Sequence, residues 1–175
     1  MTIEIQHYFT LFDDHFGDFD TETYEWFLNP VVTPTAIKHI RDTYGLAKDV
    51  ATYNAVFNRV HKATLDYLTV NFAGRHTGRR FLLALQDEMA GQTPLDYNTE
   101  HLRKVLHQIE FKCSDFIQHH PYAKASLLRS RHHFHSEALN VLPSSLVYFK
   151  TDAIQINHLD QHQIFAYLHQ KTAER

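Results

Sequence analysis

Residues 2–9 read TIEIQHYF, and their side chains alternate between two faces. One face would carry Ile3, Ile5, His7 and Phe9, and the other is polar apart from Tyr8. This alternation is typical of a half-buried β-strand. A helix is the competing interpretation, because Ile5, Phe9 and Phe12 also fit one helical face. We interpret the segment as a strand, and this choice decides the fold class.

Two β-prone runs lie near the C-terminus, at residues 146–150 and 153–159. Thr151 and Asp152 separate them, and this arrangement is typical of a β-hairpin. Together with residues 2–9, the two runs predict a small antiparallel sheet formed by N- and C-terminal strands.

Capping residues mark the predicted helices. Thr33 and Pro34 suit the N-cap and first position of a helix that ends before Gly45. Asp49 caps the strongest amphipathic pattern in the chain, which continues to Gly74. Further helices are predicted over residues 20–29, 78–89, 98 or 99 to 118, part of 122–141, and 161–171.

These patterns predict an α+β protein, with four or five helices packed on the antiparallel sheet. No repeat, low-complexity tract or Gly/Ser linker interrupts the 175 residues. We therefore expect a single domain over residues 1–175.

The chain has a single cysteine, Cys113, which excludes a disulfide within the chain and a cysteine-based zinc site. Its spacing from Ile109 and Phe116 predicts a small buried hydrophobe on a helix. The N-terminal segment lacks the pattern of a signal peptide, and no apolar run approaches the ~20 residues of a membrane span. We therefore expect a cytoplasmic protein that does not contact a membrane.

Charge is segregated along the chain. Residues 1–37, which we call the acidic head, carry seven acidic residues and no lysine or arginine. Residues 38–150 carry 15 basic residues against 10 acidic ones, so the head could pair with them within the fold or between subunits. The isoelectric point near 6.6 is low for a nucleic-acid-binding domain, so direct DNA binding is not expected. A small helical nucleic-acid-binding regulator is kept as an alternative, because residues 37–53 superficially resemble a helix-turn-helix.

Residues 75–80, RHTGRR, form a short basic segment that we place in a turn between two helices. Backbone N–H groups and basic side chains there could hold a phosphate or a carboxylate. The same side chains could instead pair with the acidic head. The segment is not a phosphate-binding P-loop, because the Gly and Lys spacing is absent.

Histidine is unusually frequent, with 15 residues, and its densest group is HHFHSE at residues 132–137. His133 and Glu137 would share one helical face, as metal ligands can. A metal site needs three or four converging ligands, so we expect no metal and no cofactor. The alternative is a histidine-rich metal-dependent enzyme with His132, His133, His135 and Glu137 as ligands.

Aromatic residues crowd the acidic head, at Phe9, Phe12, Phe16, Phe19, Tyr24, Trp26 and Phe27. We expect most of them in the core, and an apolar ligand pocket or a self-association surface is the functional alternative. No Ser-His-Asp arrangement, nucleotide loop or paired-carboxylate motif follows from the spacing of residues.

Two segments carry a resemblance to a known family, YEWFL at residues 24–28 and FAGRHTGRR at residues 72–80. With them, the chain resembles the RsaM-type quorum-sensing regulators. The resemblance implies a cytoplasmic, non-enzymatic regulator that restrains acyl-homoserine-lactone signalling and the gene expression that depends on it. We expect a homodimer or other homo-oligomer that acts through a protein or small-molecule partner. The ligand- or partner-binding residues assigned on these segments are Tyr24, Trp26, Arg75, His76, Arg79 and Arg80.

Overall fold

The structure is a computed structural model that describes residues 2–173, apart from the side chain of residue 172. Within these residues the chain forms four β-strands and six α-helices. They follow one another as β1 (Ile3–Phe9), β2 (Tyr24–Pro30), α1 (Pro34–Thr43), α2 (Val50–Asn71), α3 (Arg75–Glu88), α4 (Thr99–Gln108), α5 (Cys113–Ser136), β3 (Ser144–Tyr148), β4 (Ala153–Asn157) and α6 (Gln161–Ala173). The α+β class is confirmed, and so is the sheet formed from the two ends of the chain.

The four strands lie in the order β2-β1-β3-β4. Strand β1 pairs antiparallel with β3, and β3 with β4, as the predicted hairpin requires. Strand β2 pairs parallel with β1, so the sheet is mixed rather than antiparallel throughout. The helix predicted over residues 20–29 is therefore wrong. Its aromatic residues bury alternately, at Tyr24 and Trp26, which is the period of a strand and not of a helix.

Strand β1 is covered on both faces. On one face, Ile5 packs with Ile164 and Leu168 of α6. On the other face, Tyr8 packs against Phe134 of α5, with ring centroids 5.9 Å apart. Burial on both sides explains why β1 carries large side chains at successive positions and can hold a parallel neighbour.

The capping residues of α1 and α2 act as predicted. The Thr33 hydroxyl accepts a hydrogen bond from the Ala36 amide at 3.1 Å. The Asp49 carboxylate accepts one from the Thr52 amide at 2.6 Å. Each bond satisfies a backbone N–H that the first turn of a helix leaves without a partner.

The helical part of the chain corrects three predictions. Helix α3 begins at Arg75, so the basic segment is the first turn and a half of a helix and not a turn between helices. The helix predicted from residue 98 or 99 to 118 is broken after Gln108, where Glu110 takes a φ of 57° and lets Phe111 turn back toward α4. Helix α5 then runs through Pro121, and Cys113 at its first position is exposed rather than buried.

None of the helices formed by residues 2–173 is long and apolar enough to cross a bilayer. The largest core cluster joins β1, α2, α3 and α4 through side chains such as Phe9, Tyr67, Phe81 and Leu106. This cluster supports the segment between β1 and β2, where the candidate site lies.

Candidate functional site

Residues 10–23 connect the end of β1 to the start of β2, and Leu11 and Phe16 of this segment pack in the largest core cluster with α2, α3 and α4. The Thr10 hydroxyl fixes the first turn by donating to the Val31 carbonyl at 2.7 Å. Phe12 has a φ of 69°, in the left-handed region that a bulky residue rarely adopts. Its carbonyl accepts a hydrogen bond from the Tyr44 hydroxyl at 3.3 Å. Backbone strain of this kind persists only where the surroundings hold it, and it is frequent at functional sites.

A buried chain of polar groups lies directly beneath this segment. The register of β1 and β3 places His7 opposite Ser145, and their side chains meet with 2.6 Å between Nδ1 and Oγ. The other ring nitrogen, Nε2, lies 2.9 Å from Oδ2 of Asp14. The bonds are satisfied when His7 carries its proton on Nε2 and donates to Asp14, while the Ser145 hydroxyl donates to Nδ1.

The same oxygen of Asp14 is held from the C-terminal end of the chain. The backbone N–H of Gln161 donates to Oδ2 at 3.2 Å. The side chain of Gln161 accepts from Gly17 and donates to the Asp18 carbonyl, at 2.8 and 3.1 Å. The first residue of α6 therefore fixes the loop that carries Asp14.

Asp14 is the only one of the three hydrogen-bonded residues, His7, Ser145 and Asp14, that has a buried side-chain oxygen without a hydrogen-bond partner. Its side chain is 1% exposed, and its second oxygen, Oδ1, is buried without a hydrogen-bond partner. Burial raises the pKa of Asp14, against the opposing effect of His7 and the Gln161 amide. An unpartnered buried acceptor is costly, so its presence needs an explanation.

Ser145, His7 and Asp14 are the residue types of a hydrolase triad, but the arrangement does not offer a nucleophile. His7 and Ser145 are 0% exposed, and neither lines the two cavities beside the loop. A nucleophile must reach within about 3 Å of a substrate atom, which no substrate can satisfy here. The chain of hydrogen bonds is therefore a structural support for the loop.

A cleft of about 600 Å³ opens beside Asp14. We call it the Phe12 cleft. The residues that line it come from the loop after β1, the end of α1, the second half of α3 and the segment that follows α3. Its apolar members include Leu11, Phe12, Phe16, Leu82, Leu85 and Met89. Its polar members include Asp14, His15, Thr43, Gln86, Gln92 and Thr93. Gln86 fixes the wall by bonding the backbone of Phe16 in both directions, at 2.9 and 3.0 Å.

A second cavity, of about 740 Å³, lies on the other side of the loop. Asp13 and His39 line it, with 2.7 Å between Oδ1 and Nδ1. Burial raises the pKa of Asp13, and the contact with His39 opposes this effect. His135 and Pro143 lie on the opposite wall, and the peptide bond before Pro143 is cis.

The residues assigned from the sequence divide between core and surface. Tyr24 and Trp26 are buried in β2, while His76 and Arg80 are exposed on α3. Arg75 forms an ion pair with Glu25, with 2.9 Å between Nη2 and Oε1. The proposed pairing of the basic segment with the acidic head is thus observed at this position. Trp26, Arg75 and Arg79 also line one small cavity of about 190 Å³.

The residues of the metal alternative, His132, His133, His135 and Glu137, lie at the end of α5. Across residues 2–173, no group of three or more His, Cys, Asp or Glu side chains is close enough to hold a metal ion. The structure therefore does not bring these four residues together as ligands.

His7, Asp14 and Ser145 escaped the sequence analysis. His7 and Ser145 are 138 residues apart, and only strand pairing makes them neighbours. One signal was available in the sequence, because His7 falls on the same face as Ile5 and Phe9, which are apolar. A buried histidine on such a face needs a polar partner.

No family model and no curated protein matches the chain. The structural comparison does find similar folds. One is a solved structure described as "a putative protein disulfide isomerase from Nitrosomonas europaea", with a TM-score of 0.56 and 11% sequence identity. The match covers 97% of this chain and 99% of that one. At this identity the likeness shows a shared fold over almost the whole chain.

Proposed function

We propose that this protein is a non-enzymatic binding protein whose ligand is a small amphiphilic molecule held in the Phe12 cleft. The observation that carries the proposal is the unpartnered Oδ1 of Asp14, a residue that lines a cleft of mixed apolar and polar side chains. A ligand with an N–H or O–H group beside an apolar chain would satisfy this oxygen and cover the aromatic and aliphatic wall. Ligand sites commonly combine an apolar lining with a few fixed polar groups.

The size and rigidity of the cleft support the proposal. Its volume of about 600 Å³ lies within the range of small-molecule sites. Asp14 is fixed by His7 and Gln161, and Phe16 by Gln86, so both walls are ordered before a ligand binds. Pre-organised groups lose little entropy on binding, which favours affinity.

The composition of the chain argues against the activity named for the structural neighbour. Disulfide exchange needs a reactive thiolate, and a protein that cycles between dithiol and disulfide needs two cysteines. This chain has one, Cys113, which lies exposed at the start of α5. This chain therefore has the shared fold but lacks the pair of cysteines that dithiol–disulfide cycling requires.

The resemblance to RsaM-type regulators gives this binding function a biological setting. We propose that the protein is a cytoplasmic, homo-oligomeric regulator that restrains acyl-homoserine-lactone signalling. An acyl-homoserine lactone joins an apolar chain to an amide N–H, which are the two features that the Phe12 cleft would accept. The role in signalling depends on the resemblance, whereas the binding function depends on the cleft.

Calorimetric titration tests the binding function. The probes are N-acyl-homoserine lactones of increasing chain length and fatty acids of matched length, which lack the amide donor. Ala90→Trp places an indole at the exposed rim of the cleft, and we expect it to weaken binding about tenfold or more. Ala125→Trp makes the same substitution on the exposed face of α5 and should leave affinity unchanged.

Two outcomes would overturn the binding proposal. One is the absence of saturable binding by every probe, and the other is an equal loss of affinity in Ala90→Trp and Ala125→Trp. The signalling role has a separate test, in which acyl-homoserine-lactone levels and transcripts are compared with and without the gene. Unchanged levels would remove the signalling role and leave the binding function standing.

A further inference from the structure

We propose that the small cavity between β2 and α3 is a second site, which binds the phosphate group of a small molecule. We call it the arginine pocket. Arg75 and Arg79, one turn apart at the start of α3, line it together with Trp26, Tyr67 and Asn71. The volume of about 190 Å³ is below that of a site for a whole small molecule, so it fits a single oxyanion group.

Aromatic rings hold both guanidinium groups in place. The Arg75 guanidinium lies 4.3 Å from the centre of the Phe27 ring, and that of Arg79 lies 5.6 Å from the Phe19 ring. Arginine stacks on aromatic faces while its N–H donors remain free at the edge of the group. The N–H donors of Arg75 and Arg79 are therefore in position before an anion binds, so little side-chain entropy is lost on binding.

Two hydrogen-bond donors of the pocket residues have no acceptor. Nε of Arg79 and Nε1 of Trp26 are both buried without a partner, and Trp26 is 0% exposed. Arginine and indole nitrogens can only donate, so the group that would satisfy them must be an acceptor. Burial and the nearby charge of Arg75 lower the pKa of Arg79.

Glu25 is the group that competes with a bound anion for Arg75, and it does not line the pocket itself. Its carboxylate contacts Nη2 of Arg75 at the surface, where both side chains are 44% exposed. No ion pair to Arg79 is present among residues 2–173. The two charged residues that line the pocket, Arg75 and Arg79, are therefore both cationic.

Helix α3 reinforces the charge of the pocket. It has 14 residues and begins after Gly74 without a side-chain cap, so its first backbone N–H groups remain available to an anion. Gly78 lets α3 approach the end of α2 closely, because a Cβ at this position would overlap the side chain of Asn71. This close approach brings Asn71 to the pocket wall.

Titration with inorganic phosphate tests the proposal, followed by calorimetry and by the fluorescence of Trp26, the single tryptophan of the chain. Arg79→Gln should reduce the affinity about tenfold or more, because it removes a charged, positioned donor. Arg103→Gln is the control, since it removes the same charge from a side chain of α4 that is 71% exposed and does not line the pocket. We expect its affinity to equal that of the parent protein.

Glu25→Gln supplies a prediction of opposite sign. It removes the carboxylate that competes for Arg75, so phosphate should bind more tightly than to the parent protein. A competition between inorganic phosphate and small phosphate monoesters then distinguishes free phosphate from a phosphorylated metabolite as the natural ligand. Circular dichroism of each variant verifies that it is folded.

The site is disproved if phosphate binding is not saturable, or if Arg103→Gln loses as much affinity as Arg79→Gln. Weaker binding to Glu25→Gln than to the parent protein would also overturn it. Fluorescence that responds equally to chloride at the same ionic strength would identify a salt effect on the protein and not an oxyanion site.

Discussion

Asp13 and Asp14 are adjacent carboxylates that each contact one histidine, and they provide a sharp test of the buried hydrogen-bond chain. The Asp14–His7 pair is 1% and 0% exposed, whereas His39, the partner of Asp13, is 68% exposed. The distances are similar, at 2.9 and 2.7 Å. Any difference between the two alanine variants therefore reports burial and the additional bond from the Gln161 amide, and not the length of the histidine contact.

The structure sets the expected cost of Asp14→Ala. The variant loses the bond from His7 and the bond from the Gln161 amide, and it leaves a buried imidazole N–H without an acceptor. Hydrogen bonds that involve a charged group contribute about 1.5–3 kcal/mol, and an orphaned buried donor costs about 1–3 kcal/mol. Relief of the buried carboxylate offsets part of this loss. We expect a net destabilisation of about 3 kcal/mol, or a fall in Tm of about 10 °C.

Asp13→Ala should cost about 1 kcal/mol or less, because pairs with an exposed partner contribute little. Asp14→Asn is the informative intermediate. It keeps an acceptor for the Nε2 proton of His7 and for the Gln161 amide while removing the charge, so it should recover most of the stability lost in Asp14→Ala.

Urea unfolding followed by circular dichroism measures all three variants against the parent protein. Equal losses in Asp13→Ala and Asp14→Ala would refute the reasoning. So would an Asp14→Asn variant as unstable as Asp14→Ala, because the contribution of Asp14 would then come from its charge and not from its hydrogen bonds. The ring-nitrogen chemical shifts of His7 give an independent readout of the tautomer in the parent protein and in Asp14→Asn.

Three other regions of the molecule give shorter tests. Burial raises the pKa of Tyr8 to about 12 and those of Tyr67 and Tyr97 further, above the ordinary value of 10.0. The folded state therefore keeps these protons longer than the unfolded state, so stability is full below pH 10 and falls as pH rises toward 12. The last tyrosines to ionise should do so together with the loss of circular dichroism, and Tyr8→Phe should shift this loss to higher pH; ionisation of all tyrosines in a folded protein would contradict this. Thr33→Ala removes the cap of α1 and should cost about 1 kcal/mol in urea unfolding, with Thr33→Ser restoring most of it and an unchanged midpoint counting against the cap. Cys113 is exposed, so a thiol reagent should label one group per native chain; labelling that requires denaturant would place the thiol in the core.

Local signals in the sequence predicted much of the fold. The caps at Thr33 and Asp49 fix helix starts through bonds within three residues, so a sequence reading finds them. Strand β2 was missed because the parallel pairing with β1 is a long-range choice that local patterns do not record. The break between α4 and α5 was missed for a related reason, since Glu110 takes a positive φ without the glycine that would announce it.

The candidate site was less accessible to sequence reasoning than the fold. Trp26, Arg75 and Arg79 were selected separately, and β2 and α3 bring them to one pocket. By contrast, the chain from Asp14 through His7 to Ser145 requires knowing that β3 pairs with β1 in one register. A shift of that register by one residue would turn Ser145 to the other face, so its partner cannot be found without the tertiary structure.

The carboxylates of the acidic head make specific contacts within the fold. Asp13 contacts His39, Asp14 contacts His7, and Glu25 contacts Arg75, so three of the head's acids bond to groups within the same chain. Of the two pairings of the head with the basic residues that the sequence left open, Glu25 takes the one within the fold through Arg75, whereas Asp14 bonds to a histidine of the head itself. The contacts also fix the loop after β1, which lines the Phe12 cleft, and they hold Arg75 at the edge of the arginine pocket. These contacts therefore position the β1–β2 connection. Both proposed ligands would bind beside buried polar atoms without a partner, which are Oδ1 of Asp14 in the Phe12 cleft and Nε of Arg79 with Nε1 of Trp26 in the arginine pocket.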